Sequence, residues 1–129
     1  MSLASQPSAL SALKVLNCVS AANTAAATSG WIQVSGYEGI IALVINTGII
    51  TGTITYTFNT ATDGSGTGSA GITPLGGALT QVTTSNDDDV PYIALFDSRA
   101  LKGYIQVVGT IVTGPALVSY SLLGRKKLV

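Results

Sequence analysis

A chain of 129 residues with no histidine and one cysteine has few ways to do chemistry. Without imidazole, Ser-His-Asp triads, most catalytic zinc sites and histidine proton transfer near neutral pH are excluded. Cys18 likewise has no histidine with which to form a thiolate pair. Carboxylate chemistry survives on paper, because glycoside hydrolysis needs only two acids facing each other across a cleft. Glu38, Asp63 and Asp97 stand singly, however, each beside glycine or a turn, and read as solvated loop residues or turn formers. Asp87, Asp88 and Asp89 form the one acidic run. Hard cations such as calcium take several oxygens from one loop, yet three adjacent Asp do not converge on a point. The alternating acids and closing Glu of a calcium loop are also missing. The run therefore reads as a solvated turn, or as the partner of a basic patch on a neighbouring subunit, and no metal, cofactor or enzymatic activity is expected.

The matching basic cluster is Arg125, Lys126 and Lys127, which holds half of the chain's six cations. Three cations make a weak nucleic-acid site, and a tail that pairs with acids of another subunit suits the neutral total better. The glycine-rich stretch from Asp63 to Gly71 has a GxG pattern, but no helix follows it and it lacks the lysine of a phosphate loop. Trp31, Tyr37, Tyr56, Tyr92, Tyr104 and Tyr120 would suit a sugar-stacking platform. Most sit inside expected strands, where an aromatic ring is more often core or cross-strand packing.

Composition bounds what must position these residues. The chain is 47% hydrophobic and 9% charged, with 15 glycines and a net charge of zero, against about 25% charged residues in ordinary globular proteins. A free monomer keeps soluble by carrying more charge, so a surface this neutral points to coverage in an assembly. Zero net charge also argues against nucleic acid as the main partner. The length suits one domain with a core of its own, needing no staples. A lone Cys18 makes no intramolecular disulfide and reads as a small buried hydrophobe. No basic segment precedes an apolar run at the N-terminus, so no secretory signal is read. The longest apolar stretch, Gly39 to Ile50, is broken by Asn46 and falls short of the ~20 residues of a membrane helix; the protein is expected to be soluble.

Along the chain, period-two patterns dominate. Residues 1–12 read as an arm, with Leu10 and Leu13 as candidate partner contacts, and Leu13 to Val19 as a strand. Residues 20–29, SAANTAAATS, carry no large side chain and read as a loose connection. WIQVSGY sets Trp31, Gln33 and Ser35 against Ile32 and Val34. GIIALVIN, a continuous β-branched run, reads as a strand buried on both sides. Thr53 to Asn59 alternates Ile54, Tyr56 and Phe58 with threonines, so it should have one wet face. Asp63 to Gly71 should be a projecting or mobile loop. Thr80 to Thr84 and Pro91 to Phe96 read as short strands around a turn at Asn86 to Asp89. Gly103 to Val112 and Ala116 to Leu123 read as a hairpin across the Thr113, Gly114, Pro115 break. The expectation is an all-β fold, a single antiparallel β-sandwich of jelly-roll type or a small barrel over residues 13–124, with the arm before it and a basic tail, residues 125–129, after it.

In order, these pieces resemble small proteins encoded among the head genes of tailed phages and prophages. The resemblance spans Leu13 to Lys127. It rests on the arm and first strand, on GIIALVIN followed by TGTITYTF, on the glycine-rich loop with Asp63 and Gly64, and on RALKGYIQVVGTIVTGPALVSYSLLGRKK. It is one of layout, without a chemical signature, and the run Asp87 to Asp89 has no counterpart in it. Such a resemblance implies a capsid decoration, or cement, protein made in the host cytoplasm. It would sit on the outside of the head as a homo-oligomer, often a trimer, and bind several subunits of the major capsid protein. Other readings are a tail, connector or head-fibre-base component, and a carbohydrate-binding adhesin module using Tyr37 or Tyr92.

Overall fold

Alternating apolar and polar side chains, many of them β-branched, favour strands because each strand can turn one edge of its pleat inward. The computed structural model describes residues 13–23, 26–85, 91–113 and 116–127, without the side chains of 13–23, 26, 49 and 117. Among the described residues run nine strands: β1 (Leu13–Asn23), β2 (Ala26–Thr28), β3 (Ile32–Gln33), β4 (Tyr37–Ile50), β5 (Thr53–Ala61), β6 (Ala70–Ile72), β7 (Tyr92–Asp97), β8 (Tyr104–Val112) and β9 (Ala116–Lys126). A 3-10 turn, Ser98–Ala100, links β7 to β8.

The strands form two antiparallel sheets. One has the order β1-β9-β4-β7; the other has the order β2-β8-β5-β6, with β3 also paired to β8. Because β2 and β3 follow one another along the same edge of β8, they act as one interrupted strand. Counted that way, first pairs with last, and the two strand orders are those of a jelly roll, the two-sheet arrangement of paired Greek keys. Neither sheet closes on itself, so the architecture is a sandwich and not a barrel.

The core lies between the sheets. Ile41, Leu43, Ile45, Phe96, Tyr120 and Leu122 come from the first sheet; Ile54, Tyr56, Phe58, Ile105 and Val107 come from the second. Burying each contributes about 1.5–3 kcal/mol. Two edge-on aromatic pairs cross the interface, Phe58–Phe96 at 5.1 Å and Tyr56–Tyr120 at 6.0 Å between ring centroids. Among the described residues, the polar side chains taken inside all find hydrogen-bond partners. Tyr120 donates its hydroxyl hydrogen to the Ala27 carbonyl at 2.6 Å, and the Tyr56 and Thr47 hydroxyls share a bond of 2.7 Å. Burial pushes both tyrosine hydroxyls above their ordinary pKa, most strongly at Tyr120. Buried Ser29 accepts the Val107 amide, and buried Thr60 accepts the Lys102 amide and donates to the Tyr104 carbonyl.

Several expectations hold. The first strand begins at Leu13, β5 has the one wet face its threonines foretell, and a strand covers the PYIALF segment, though it starts at Tyr92 and leaves Pro91 just ahead of it. Others are corrected. The stretch Ser20 to Ser29 is no loose connection: it completes β1 and supplies β2, carrying the chain from one sheet to the other. Its lack of large side chains is what this crossing requires, since Ala27 packs where the Tyr120 hydroxyl meets β8. Gly103 to Val112 and Ala116 to Leu123 are not a hairpin, because β8 pairs with β2, β3 and β5 while β9 pairs with β1 and β4. Thr80 to Thr84 forms no strand; Val82 makes a single bridge to Ile54. The glycine-rich loop is a hydrogen-bonded connection whose end, Ala70–Ile72, is β6. The arm, residues 1–12 with Leu10, the turn at Asn86 to Asp89, the Gly114-Pro115 break, and the side chains of Leu13 and Cys18 lie outside the described residues.

Candidate attachment face

The carboxylates are placed one by one. Asp63 caps its loop by accepting the Ser65 and Thr67 amides at 2.9 and 3.1 Å; hydrogen bonding from the Thr67 side chain, and then from these amides, holds its carboxyl below the ordinary range. The loop then closes over a ring: Gly66, at φ +85°, leaves room for Trp31. Asp97 accepts from the Arg99 side chain and amide, which lower its pKa, and so caps the 3-10 turn. Glu38 lies 4.0 Å from Arg125 across the β4–β9 pair. Each of these three acids thus has a local partner, and no group of three or more acid, cysteine or histidine side chains that could hold a metal occurs among the described residues.

The basic cluster is not a loose tail. Arg125 and Lys126 are strand residues of β9, opposite Glu38 and Tyr37 on β4, and the Lys127 amide donates to the Gly36 carbonyl at 3.0 Å. Register also sets Leu13 opposite Arg125. The acidic run Asp87, Asp88, Asp89 lies outside the described residues, as does Leu10. Its flanks do not approach the cations: Pro91 adjoins Tyr92, which faces Ile45 near the other end of β4. The aromatic residues also divide, Tyr56 and Tyr120 being core and Tyr37, Tyr92 and Tyr104 half-buried.

What distinguishes the surface is the difference between its two broad faces. On the second sheet, outward positions are threonine-rich: Thr55 lies opposite Thr110, Thr57 opposite Val108, and Asn59 donates to Gln106 at 3.4 Å, while Val112, at the end of β8, is a large apolar side chain exposed on this sheet too. The first sheet presents apolar side chains outward. GIIALVIN alternates: Ile41, Leu43 and Ile45 are buried, while Ile40 is 50% exposed and Ala42 and Val44 are half-buried on the opposite face. The expected burial on both sides is therefore corrected, because no layer of the described residues covers that face. Val44 faces Ile93 on β7, exposed by 59%, and Ala42 faces Leu95, exposed by 38%, and also half-buried Leu123 on β9. Leu75, 52% exposed, bridges to Leu95 at the edge. Beside it a cleft of about 600 Å³ opens between Leu75–Thr80 and Pro91–Ile93.

Sequence reasoning missed these residues, although a signal was present. In YIALF, apolar side chains occupy both parities, Ile93 and Leu95 outward, Ala94 and Phe96 inward. A strand apolar at both parities is either covered twice or exposes one apolar face.

No protein-family model matches this chain, and comparison with curated proteins found no similar sequence. Among the described residues no helix is long and apolar enough to cross a membrane.

Proposed function

We propose that the chain is a structural protein of a phage particle, a decoration or cement protein that attaches through the apolar outer face of its first sheet to the major capsid protein on the outside of the head. The observation that carries this reading is the contrast between the faces. A threonine coat hydrates well, whereas Ile40, Leu75, Ile93 and Leu95 form a contiguous apolar surface of the kind that marks a protein contact. A chain with 9% charged residues also lacks the charge that keeps such a face apart from its neighbours. The jelly-roll order is compatible, since viral capsid domains use it, though lectins and cupins use it too and the fold alone assigns no role.

The physical gain from such a protein is multivalency. Once one copy of a homo-oligomer, a trimer in the favoured form, has docked, the remaining copies meet the shell at high effective concentration. The test is direct: assembled heads lacking the protein are mixed with the purified chain, and bound copies and the thermal transition of the shell are measured. Hundreds of bound copies and a raised transition are expected. No binding and no shift would end the reading, and binding at a single vertex would move the chain to a connector or fibre base.

A further inference from the structure

The six cations of the chain are Lys14, Arg99, Lys102, Arg125, Lys126 and Lys127. They are scattered over 114 positions of sequence, yet the fold gathers all of them at one end. Register sets Lys14 opposite Gly124, and Arg125 and Lys126 opposite Glu38 and Tyr37. Arg99 and Lys102 lie on the connection that leads into Tyr104, which faces Ala61 at the same end. Three carboxylates share that end, namely Glu38, Asp63 and Asp97, so three positive charges are left over. The other three carboxylates are the consecutive Asp87, Asp88 and Asp89. The chain leaves the described fold at Ser85, shortly after Val82 bridges the start of β5, and returns at Pro91 beside Ile45 of β4. Both points belong to the opposite end. The molecule is neutral as a whole, and its described charged residues share one end.

The basic end is also concave. A cleft of about 430 Å³ between Val34–Gly39 and Ser98–Gly103 is lined by Arg99, Lys102 and Lys127, with Glu38 as the one acid. Arg99 is tied to Asp97, and Lys102 donates one hydrogen to the Gly68 carbonyl at 2.8 Å, which leaves its remaining hydrogens free to donate. Lys126 and Lys127 are exposed and make no ion pair among the described residues. The described flank of the acidic run is remote from this cleft: from Ile45, which faces Tyr92, to Glu38 is seven strand residues, roughly 23 Å.

We propose that the basic cleft takes the Asp87–Asp89 run of a second copy, so that molecules associate basic end to acidic end. The contact is heterologous and generates a ring where its rotation closes, or a filament where it does not. It is independent of the apolar face, which stays free for a different partner.

Sedimentation velocity of the full chain tests it. Wild type associates in 50 mM NaCl, and the association constant falls about tenfold or more in 500 mM, as screening requires. The variants Lys102→Glu with Lys127→Glu, and Asp87→Lys with Asp88→Lys and Asp89→Lys, each stay monomeric alone in low salt. Mixed in equal amounts they associate again, because each then offers the charge the other lacks. A labelled peptide of residues 84–91, TSNDDDVP, binds folded wild type in the low salt by anisotropy and is released in the high; this arm stands even where a variant fails to fold. A wild type that remains monomeric at 100 micromolar in low salt, variants that associate as it does, or a basic end that binds a polyanion such as heparin while ignoring the peptide would each overturn the proposal. Shell binding is scored separately, so loss of one contact is not mistaken for loss of the other.

Discussion

Replacing Gly109 by alanine tests how the two sheets are locked together. Gly109 lies in β8, opposite Ala27 of β2 on one side and Tyr56 of β5 on the other. An added Cβ would stand 2.6 Å from the Tyr120 hydroxyl, 3.2 Å from Tyr56 Cε1 and 3.3 Å from the Ala27 carbonyl oxygen. The first distance is about 0.8 Å short of ordinary contact. The Tyr120 hydroxyl cannot swing clear as a lysine tip would, because it ends a buried ring and donates to that same Ala27 carbonyl. Overpacking of this kind costs about 1–3 kcal/mol, and a weakened bond to a buried carbonyl costs about 1–3 kcal/mol more. A loss of about 3 kcal/mol, or roughly 10 °C in Tm, is therefore expected. Urea unfolding followed by circular dichroism measures it, with the midpoint moved and the slope unchanged. Tyr120→Phe alone should cost about 1–2 kcal/mol through the lost bond. In that background Gly109→Ala should cost only about 1 kcal/mol, a coupling of about 2 kcal/mol between neighbouring sites. Equal losses in both backgrounds would refute the argument that the hydroxyl is what the new methyl meets.

Burial raises the Tyr56 and Tyr120 hydroxyls above their unfolded value of 10.0. The folded state therefore holds their protons more tightly, and the stability this gives is present below pH 10 and lost as pH rises above it. Urea midpoints should fall with a slope up to about 1.4 kcal/mol per pH unit for each tyrosine, and Tyr120→Phe should remove the larger part of that fall. Gly66→Ala puts a side chain at φ +85° with its Cβ 3.0 Å from Trp31 Nε1; a loss of about 1–2 kcal/mol with changed tryptophan fluorescence is expected. Ile93→Asp, at an exposed position, should leave the unfolding midpoint within about 0.5 kcal/mol and weaken attachment to heads at least tenfold by pull-down, while Thr110→Asp on the threonine face changes neither.

Strand positions were legible where one parity was apolar and the other polar. Thr53 to Asn59 is the clearest case, because threonine at alternate positions states which side is wet, and the structure buries Ile54, Tyr56 and Phe58. Pairing was less legible. Gly103 to Val112 and Ala116 to Leu123 are separated by three residues, which invites a hairpin, yet here the chain passes from β8 in one sheet to β9 in the other. Nothing local distinguishes the two outcomes; the decision rests on long-range partners, β4 for one strand and β5 for the other. The small residues of Ser20 to Ser29 were misread for a similar reason. Their size looks like weakness until Gly109 and Tyr120, more than eighty positions later, are brought against Ala27.

The attachment face was illegible for a different reason. Hydrophobicity reports that a side chain prefers to leave water, and is silent on whether its own chain or another one removes it. GIIALVIN and YIALF satisfy their inward parities inside the sandwich, through Ile41, Leu43, Ile45, Ala94 and Phe96. Their outward parities, Ile40, Val44, Ile93 and Leu95, meet no described layer, so the same pattern that builds the core on one side leaves an apolar surface on the other. A chain selected only to stay dissolved would carry charges at those outward positions, as edge and outer strands ordinarily do. Here the charges of the described residues are instead gathered at one end of the sandwich. That arrangement keeps the broad face free of the desolvation penalties of charge, so the two contacts proposed above, apolar adhesion and charge-directed ordering, would fall on different surfaces of one small domain.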